Sequence, residues 1–254
     1  MTDRQIIAWL CLIALTVGGV QAARASQAQR QAAVPWHSAR GHDKTCGSAQ
    51  PLLDLVEYSD FQCPSCAYAF GVLHSFMEKY PQAVRVTFRH NPLEKPHAWA
   101  MTAAIAAECA NTQGQFWPYH DVLLTRQAEW VKAPDPVATL KGYARELKLR
   151  EGAFNTCLDE GQTMQVIRQE MEEGVQRGVR STPTFYVVGN PQPIVGGNQL
   201  GERLAQVEAQ ITGRPVAAVT AQPPVAPAAV SPLPAPAAAP SPQQAAPTTA
   251  GSQP

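Results

Sequence analysis

The chain has no charge excess: 20 Lys and Arg are offset by 20 Asp and Glu across 254 residues. That balance gives no electrostatic ground for binding nucleic acid or an acidic membrane surface. The apolar run Ile6 to Val20 falls short of the roughly 20 residues that span a bilayer comfortably. No internal repeat is present, and no four suitably spaced metal ligands are visible. Beyond Arg214 there is no charged or aromatic residue. No small-residue box ends at a cysteine near residue 25, which argues against a lipoprotein.

The ends of the chain have their own composition. Arg4 precedes the apolar run, and small residues follow at Ala22, Ala23 and Ala25, the order of an export signal. Residues 1–25 are therefore expected to be a cleaved signal peptide, with membrane anchoring by residues 6–20 as the alternative. Residues 26–45 read as a Gln-, Ala- and Arg-rich linker. Residues 214–254 read as a disordered tail, because repeated Ala-Pro and Ser-Pro steps block helix propagation. Residues 46–213 have the size of one domain with a substantial core. Export implies a periplasmic or secreted protein, in which disulfides persist. With Cys11 set aside in the signal, Cys46, Cys63, Cys66, Cys109 and Cys157 are left, an odd number.

Hydrophobic patterning orders the domain. Leu52 to Ser59 reads as a buried strand and Cys63 to Lys79 as a helix, with Tyr68, Val72, Phe76 and Tyr80 on one line. Val84 to His90 alternates as a half-buried strand. That βαβ unit implies parallel strands and a right-handed crossover. A run of helices follows: His97 to Ala110, Phe116 to Leu124, Pro136 to about Leu147 capped by Asp135, Glu151 to Leu158, and Met164 to Val175. Strand character returns at Thr184 to Val188 and Ile194-Val195, an antiparallel hairpin. Gln199 to Ile211 closes the domain with Leu200, Leu204, Val207 and Ile211 on one face.

The chemistry centres on Cys63-Pro64-Ser65-Cys66. Two thiols at a strand-to-helix junction interconvert between dithiol and disulfide with little backbone movement. The helix N-terminus favours a thiolate on the first of them. Cys63 is thus the candidate nucleophile, accessible at the helix start. Cys66, one turn further in, is the candidate buried resolving thiol. An inert disulfide or half a zinc site is the bland alternative.

Four segments in order, EYSDFQCPSC (Glu57 to Cys66), NPLEKPHAWA (Asn91 to Ala100), AAECANTQGQFW (Ala106 to Trp117) and GVRSTPTFYVVG (Gly178 to Gly189), resemble the DsbA-like thiol–disulfide oxidoreductases. The resemblance implies an α/β thioredoxin-like fold (βαβ … ββα) with an all-helical insertion at about residues 97–178. It also implies that Thr182-Pro183 is cis beside the dithiol and, with Pro64 and Ser65, meets the substrate. An ordinary trans proline is the alternative. No cofactor and no metal are implied.

Other roles also follow from the resemblance. Cys109 and Cys157 would form a structural disulfide, worth roughly 4–5 kcal/mol for a loop of that length; two buried thiols are the alternative. Glu57 matches a buried acid that relays the Cys66 proton; a surface glutamate is equally compatible with the sequence. Pro-Ser replaces the Pro-His of the best-known relatives, which predicts a milder potential. Cys46 is left as a free thiol or an interchain bridge. His97 and His120 read as structural rather than ligating. Phe61, Trp117 and Tyr186 are candidates for an apolar substrate-facing surface or for the core.

The implied function is extracytoplasmic oxidation of reduced, unfolded exported proteins. A membrane redox partner, quinone-linked, would reoxidise the pair. A reductase or isomerase fed by a thiol electron donor in the membrane is the second reading, and a non-enzymatic peptide-binding module the third. A monomer is expected, since no dimerisation segment is evident.

Overall fold

Leu53–Ser59 (β2) and Val84–His90 (β3) pair in parallel, with Leu53 opposite Val84 and Ser59 opposite His90. They belong to the computed structural model of the chain, which describes residues 44–214. The expected signal, most of the linker and the Ala/Pro tail past Arg214 lie outside the described residues. Pro64–Lys79 (α1) crosses between the two strands. Thr184–Val187 (β4) pairs antiparallel with β2, and Pro193–Val195 (β5) antiparallel with β4. A short strand at Thr45–Gly47 (β1) adds to the free edge of β3, giving the order β1-β3-β2-β4-β5.

β1 corrects the expected linker boundary, since Lys44 is buried and Thr45 is paired with Thr87. Gly47 ends the strand at φ +96°, where an added Cβ would stand 2.3 Å from the Val84 carbonyl oxygen. No other residue type fits there.

Six helices form the insertion: Ala100–Asn111 (α2), Phe116–Thr125 (α3), Gln127–Val131 (α4), Pro136–Glu146 (α5), Glu151–Asp159 (α6) and Met164–Gln176 (α7). Gly196–Thr212 (α8) closes the fold. α5 starts as its sequence dictates: the Asp135 carboxylate accepts from Ala138 N at 2.9 Å and Pro136 opens the helix. α2 starts later than expected, because His97 sits in a turn, its backbone N–H donating to Leu93 O at 3.0 Å.

The buried face of α1 is Cys66, Ala69, Leu73, Phe76 and Met77, not the line through Tyr68, Val72 and Tyr80. Tyr68 and Val72 turn toward α8, where a Cβ on Gly197 would come within 2.5 Å of the Tyr68 ring. Each fully buried Leu, Phe or Met contributes about 1.5–3 kcal/mol. Leu200, Leu204 and Val207 bury the inner face of α8, whereas Ile211 is exposed.

Lys44 ties the insertion to the sheet. Its ammonium pairs with Glu108 of α2 and, at 2.6 Å, with Glu170 of α7. His90 Nε2 of β3 lies 3.0 Å from the same Glu108. Burial opposes the Glu108 charge, but His90 and Lys44 outweigh it and hold the carboxyl below its usual range. Cys109 and Cys157 form a disulfide between α2 and α6, Cα atoms 5.8 Å apart. Among the described residues, no helix is long and apolar enough to cross a membrane.

Candidate active site

β2 delivers its last residues into a turn that positions the dithiol. Cys63 N donates to Asp60 O at 3.1 Å, and Cys63 then serves as N-cap of α1, with Pro64 at the first helical position. Proline suits that position because its missing N–H would have had no partner. Cys66 N returns to Cys63 O at 3.0 Å, placing the two sulfurs on the same turn. Both thiols are free in this structure.

The Asp60 carboxylate, fully buried, organises the turn. It accepts from Gln62 N at 2.7 Å, Leu93 N at 2.9 Å and His97 Nδ1 at 2.7 Å. Asp60 N lies 3.4 Å from Cys66 Sγ, as a donor. From α4, Gln127 Nε2 donates to Phe61 O at 2.8 Å and Cys63 O at 2.9 Å. The insertion thus grips the dithiol turn directly. Sequence reasoning passed over both residues. For Asp60 a signal existed, an Asp two residues before Gln62, the spacing of an Asx turn. Gln127 offered none.

The two thiols sit in opposite electrostatic environments. The Cys63 pKa is pushed down to about 5, first by the hydrogen bond from Cys66, against burial, and further by Thr182 and the N–H groups of Cys66 and Ser65. Burial, then the neighbouring Cys63, pushes the Cys66 thiol well up. That separation gives an ionised nucleophile and a protonated resolving thiol.

Cys63 is less open than expected. It is 8% exposed, against 0% for Cys66. The covering segment is Thr182-Pro183, a cis peptide, with Thr182 O 3.5 Å from Cys63 Sγ. Thr182 and Pro183 are themselves buried, and Pro64 and Ser65 are exposed beside them.

Glu57 lies on the core face of β2, in step with Leu53 and Leu55, and is 4% exposed. Burial raises its pKa; His120 and Ser59 act in the opposite direction. Ser59, two residues on along the same face, is the group beside both Glu57 and Cys66. Its Oγ is buried and has no hydrogen-bond partner among the described residues.

Other expectations need correction. Phe61, Trp117 and Tyr186 are buried, so they build core rather than a substrate-facing surface. Phe61 stacks on Phe88 at 5.3 Å, and the Tyr186 hydroxyl donates to Arg177 O at 2.6 Å. Cys46 is buried in β1, which places it out of reach of a second chain; burial raises its pKa, with Asp121 and Glu57 adding to the effect. His120 has Nδ1 2.9 Å from Asp121 Oδ1. His97 is taken up by Asp60.

The thioredoxin family model matches residues 40–194, more than half of the chain. A segment of the Na(+)/H(+) antiporter NhaA 1 of Salinispora arenicola is 35% identical over 147 residues, 58% of this chain. The chain spans only 22% of that relative's length. Two solved structures share the fold: alpha-DsbA1 of Wolbachia pipientis, with TM-score 0.55 and 18% identity over 69% of this chain and 96% of that one, and oxidised BdbD of Bacillus subtilis, with TM-score 0.54 and 18% identity over 65% and 92%. With the Cys63–Cys66 pair at the start of α1 and a helical insertion between β3 and β4, the chain belongs to the thioredoxin family and has the fold of its DsbA-like members.

Proposed function

We propose that the protein is an extracytoplasmic thiol–disulfide oxidoreductase that donates a Cys63–Cys66 disulfide to reduced, unfolded exported proteins. The observation that carries the reading is the split between the two sulfurs: Cys63 is lowered to about 5 while buried Cys66 is raised. A thiolate that is stable on Cys63 is a good leaving group, and stabilising the reduced form makes the disulfide more oxidising.

In the oxidised protein, a substrate thiolate attacks Cys63 Sγ. The Cys63–Cys66 bond breaks and Cys66 leaves with the electron pair and takes a proton. A second substrate thiolate then attacks its partner sulfur in the mixed disulfide and displaces Cys63 as a thiolate. Two electrons pass from the substrate to the protein. A quinone-linked membrane protein would take them onward, and a membrane thiol donor would drive the reverse direction. Exposed Pro64 and Ser65, next to Thr182-Pro183, border the approach to Cys63 and would meet the extended substrate. Glu57 serves as the acid for Cys66.

Equilibration against glutathione tests the direction. A potential well above that of a cytosolic thioredoxin, about −270 mV, is expected. A value at or below it would make the protein a reductase.

A further inference from the structure

The backbone of Asp60 meets both cysteines. Its carbonyl oxygen accepts from Cys63 N at 3.1 Å, and its N–H donates to Cys66 Sγ at 3.4 Å. The second contact is aimed at the sulfur in the harsher surroundings. Cys63 draws on the N–H groups of Cys66 and Ser65 at the start of α1. Cys66 is wholly buried, and burial holds its thiol well above the ordinary range. A thiolate formed on Cys66 is therefore costly unless a donor faces it.

The side chain of the same residue fixes where that N–H points. The Asp60 carboxylate is buried and accepts from Gln62 N at 2.7 Å, Leu93 N at 2.9 Å and His97 Nδ1 at 2.7 Å. Trp99 N donates to Gln62 Oε1 at 2.7 Å, a further tie between the dithiol loop and the segment before α2. Of the three donors on the carboxylate, only His97 contributes a side chain, and its imidazole is 17% exposed. Together they compensate the carboxylate, whose charge would otherwise oppose a second anion nearby.

We propose that the Asp60 N–H receives Cys66 as the leaving sulfur when the disulfide opens, and that His97, acting through the Asp60 carboxylate, is the positioning residue that aims it. This role rests on the reading of Cys63–Cys66 as a disulfide donor. A substrate thiolate forms a bond to Cys63 Sγ, the Cys63–Cys66 bond breaks, and its electron pair goes to Cys66 Sγ. The negative charge passes from the substrate sulfur to Cys66, and every electron stays on sulfur. The N–H contact is weak against a disulfide sulfur and strengthens as charge collects there. It therefore lowers the barrier more than it stabilises the resting disulfide. A donor already held in place needs no reorientation during the step.

The test follows the oxidised full chain in excess glutathione by acid quench and mass. It reads the opening rate of the Cys63–Cys66 bond and, after digestion, the sulfur that carries glutathione. In His97→Ala, opening slows about fivefold or more. In His97→Asn, whose amide nitrogen stands where Nδ1 stood, most of the rate returns. Alkylation of Cys63 by iodoacetamide in the reduced protein keeps its rate and pH midpoint in both variants, because no bond to Cys66 breaks in that reaction. A turn that had merely loosened would change alkylation as well, and a parallel loss there overturns the inference. Opening at the unmodified rate in His97→Ala, with glutathione on Cys63, also overturns it and leaves the disulfide-donor reading in place. Glutathione on Cys66 in the unmodified protein overturns both. Should His97→Ala fail to fold, the amide proton of Asp60 in the reduced protein decides. It moves upfield by more than its neighbours when Cys66→Ala removes the sulfur, and an unmoved resonance overturns the inference.

Discussion

His97 Nδ1 lies 2.7 Å from Asp60 Oδ2, and the carboxylate it meets is wholly buried beneath the dithiol turn. The turn that precedes α2 thereby holds the loop whose N–H faces Cys66 Sγ. Asp60→Ala strands His97 and the N–H groups of Gln62 and Leu93 together. The expected loss is about 3–5 kcal/mol, since each buried donor left without its acceptor costs about 1–3 kcal/mol, measured by urea unfolding of the reduced protein. A loss under about 1 kcal/mol would show that the carboxylate does not organise the turn.

Gln127 supplies the second grip, with bonds to Phe61 O and Cys63 O. Gln127→Ala leaves both carbonyls with one fewer donor and is expected to cost about 1–2 kcal/mol. Because α4 is otherwise remote in sequence, the effect should concentrate locally. Amide hydrogen exchange of residues 61–67 accelerates in the variant, while that of β3 stays unchanged. Unaltered exchange in 61–67 would contradict the clamp.

The order of strands and helices, and the dithiol itself, were legible because alternation and helical period report burial directly. Less legible was whatever depends on a partner distant in sequence. β1 carries one buried residue, Cys46, and exists because β3 offers an edge; nothing local announces it. Lys44 reads as linker until Glu108 and Glu170 are folded against it. The buried face of α1 depends on a partner distant in sequence: Tyr68 and Val72 lie toward Gly197 and Gly201 of α8, while Cys66 and Leu73 are buried. For Phe61 and Trp117 the sequence left core and substrate-facing surface both open, and the fold places them in an aromatic cage around His120.

The Cys109–Cys157 bridge closes a separation of 48 residues. Replacing both cysteines by Ala is expected to cost about 4 kcal/mol through the entropy of the unfolded chain. Neither sulfur touches the dithiol turn, so exchange with glutathione at Cys63 should keep its rate at temperatures where the variant is folded. A slowed exchange in the folded variant would tie the bridge to the chemistry.

Glu57 makes stability fall with rising pH. Burial raises its folded pKa above the unfolded value. Its contribution is therefore complete below the unfolded value of about 4.3 and is lost as pH rises through the raised one. Urea midpoints followed upward from pH 4 should decline, and Glu57→Gln should flatten that decline. A decline of the same depth in the variant would assign it to another group.

The central claim is an ionised Cys63 in front of a protonated Cys66. Following absorbance at 240 nm in the reduced protein reads it most directly, with Cys63→Ser as the blank. The depressed pKa stabilises the reduced fold above the unfolded thiol value near 8.5, and that stabilisation disappears as pH falls through the folded midpoint. One thiolate titrating with a midpoint of about 5 is the result this account predicts. A midpoint near 8.5, that of an ordinary thiol, would contradict it.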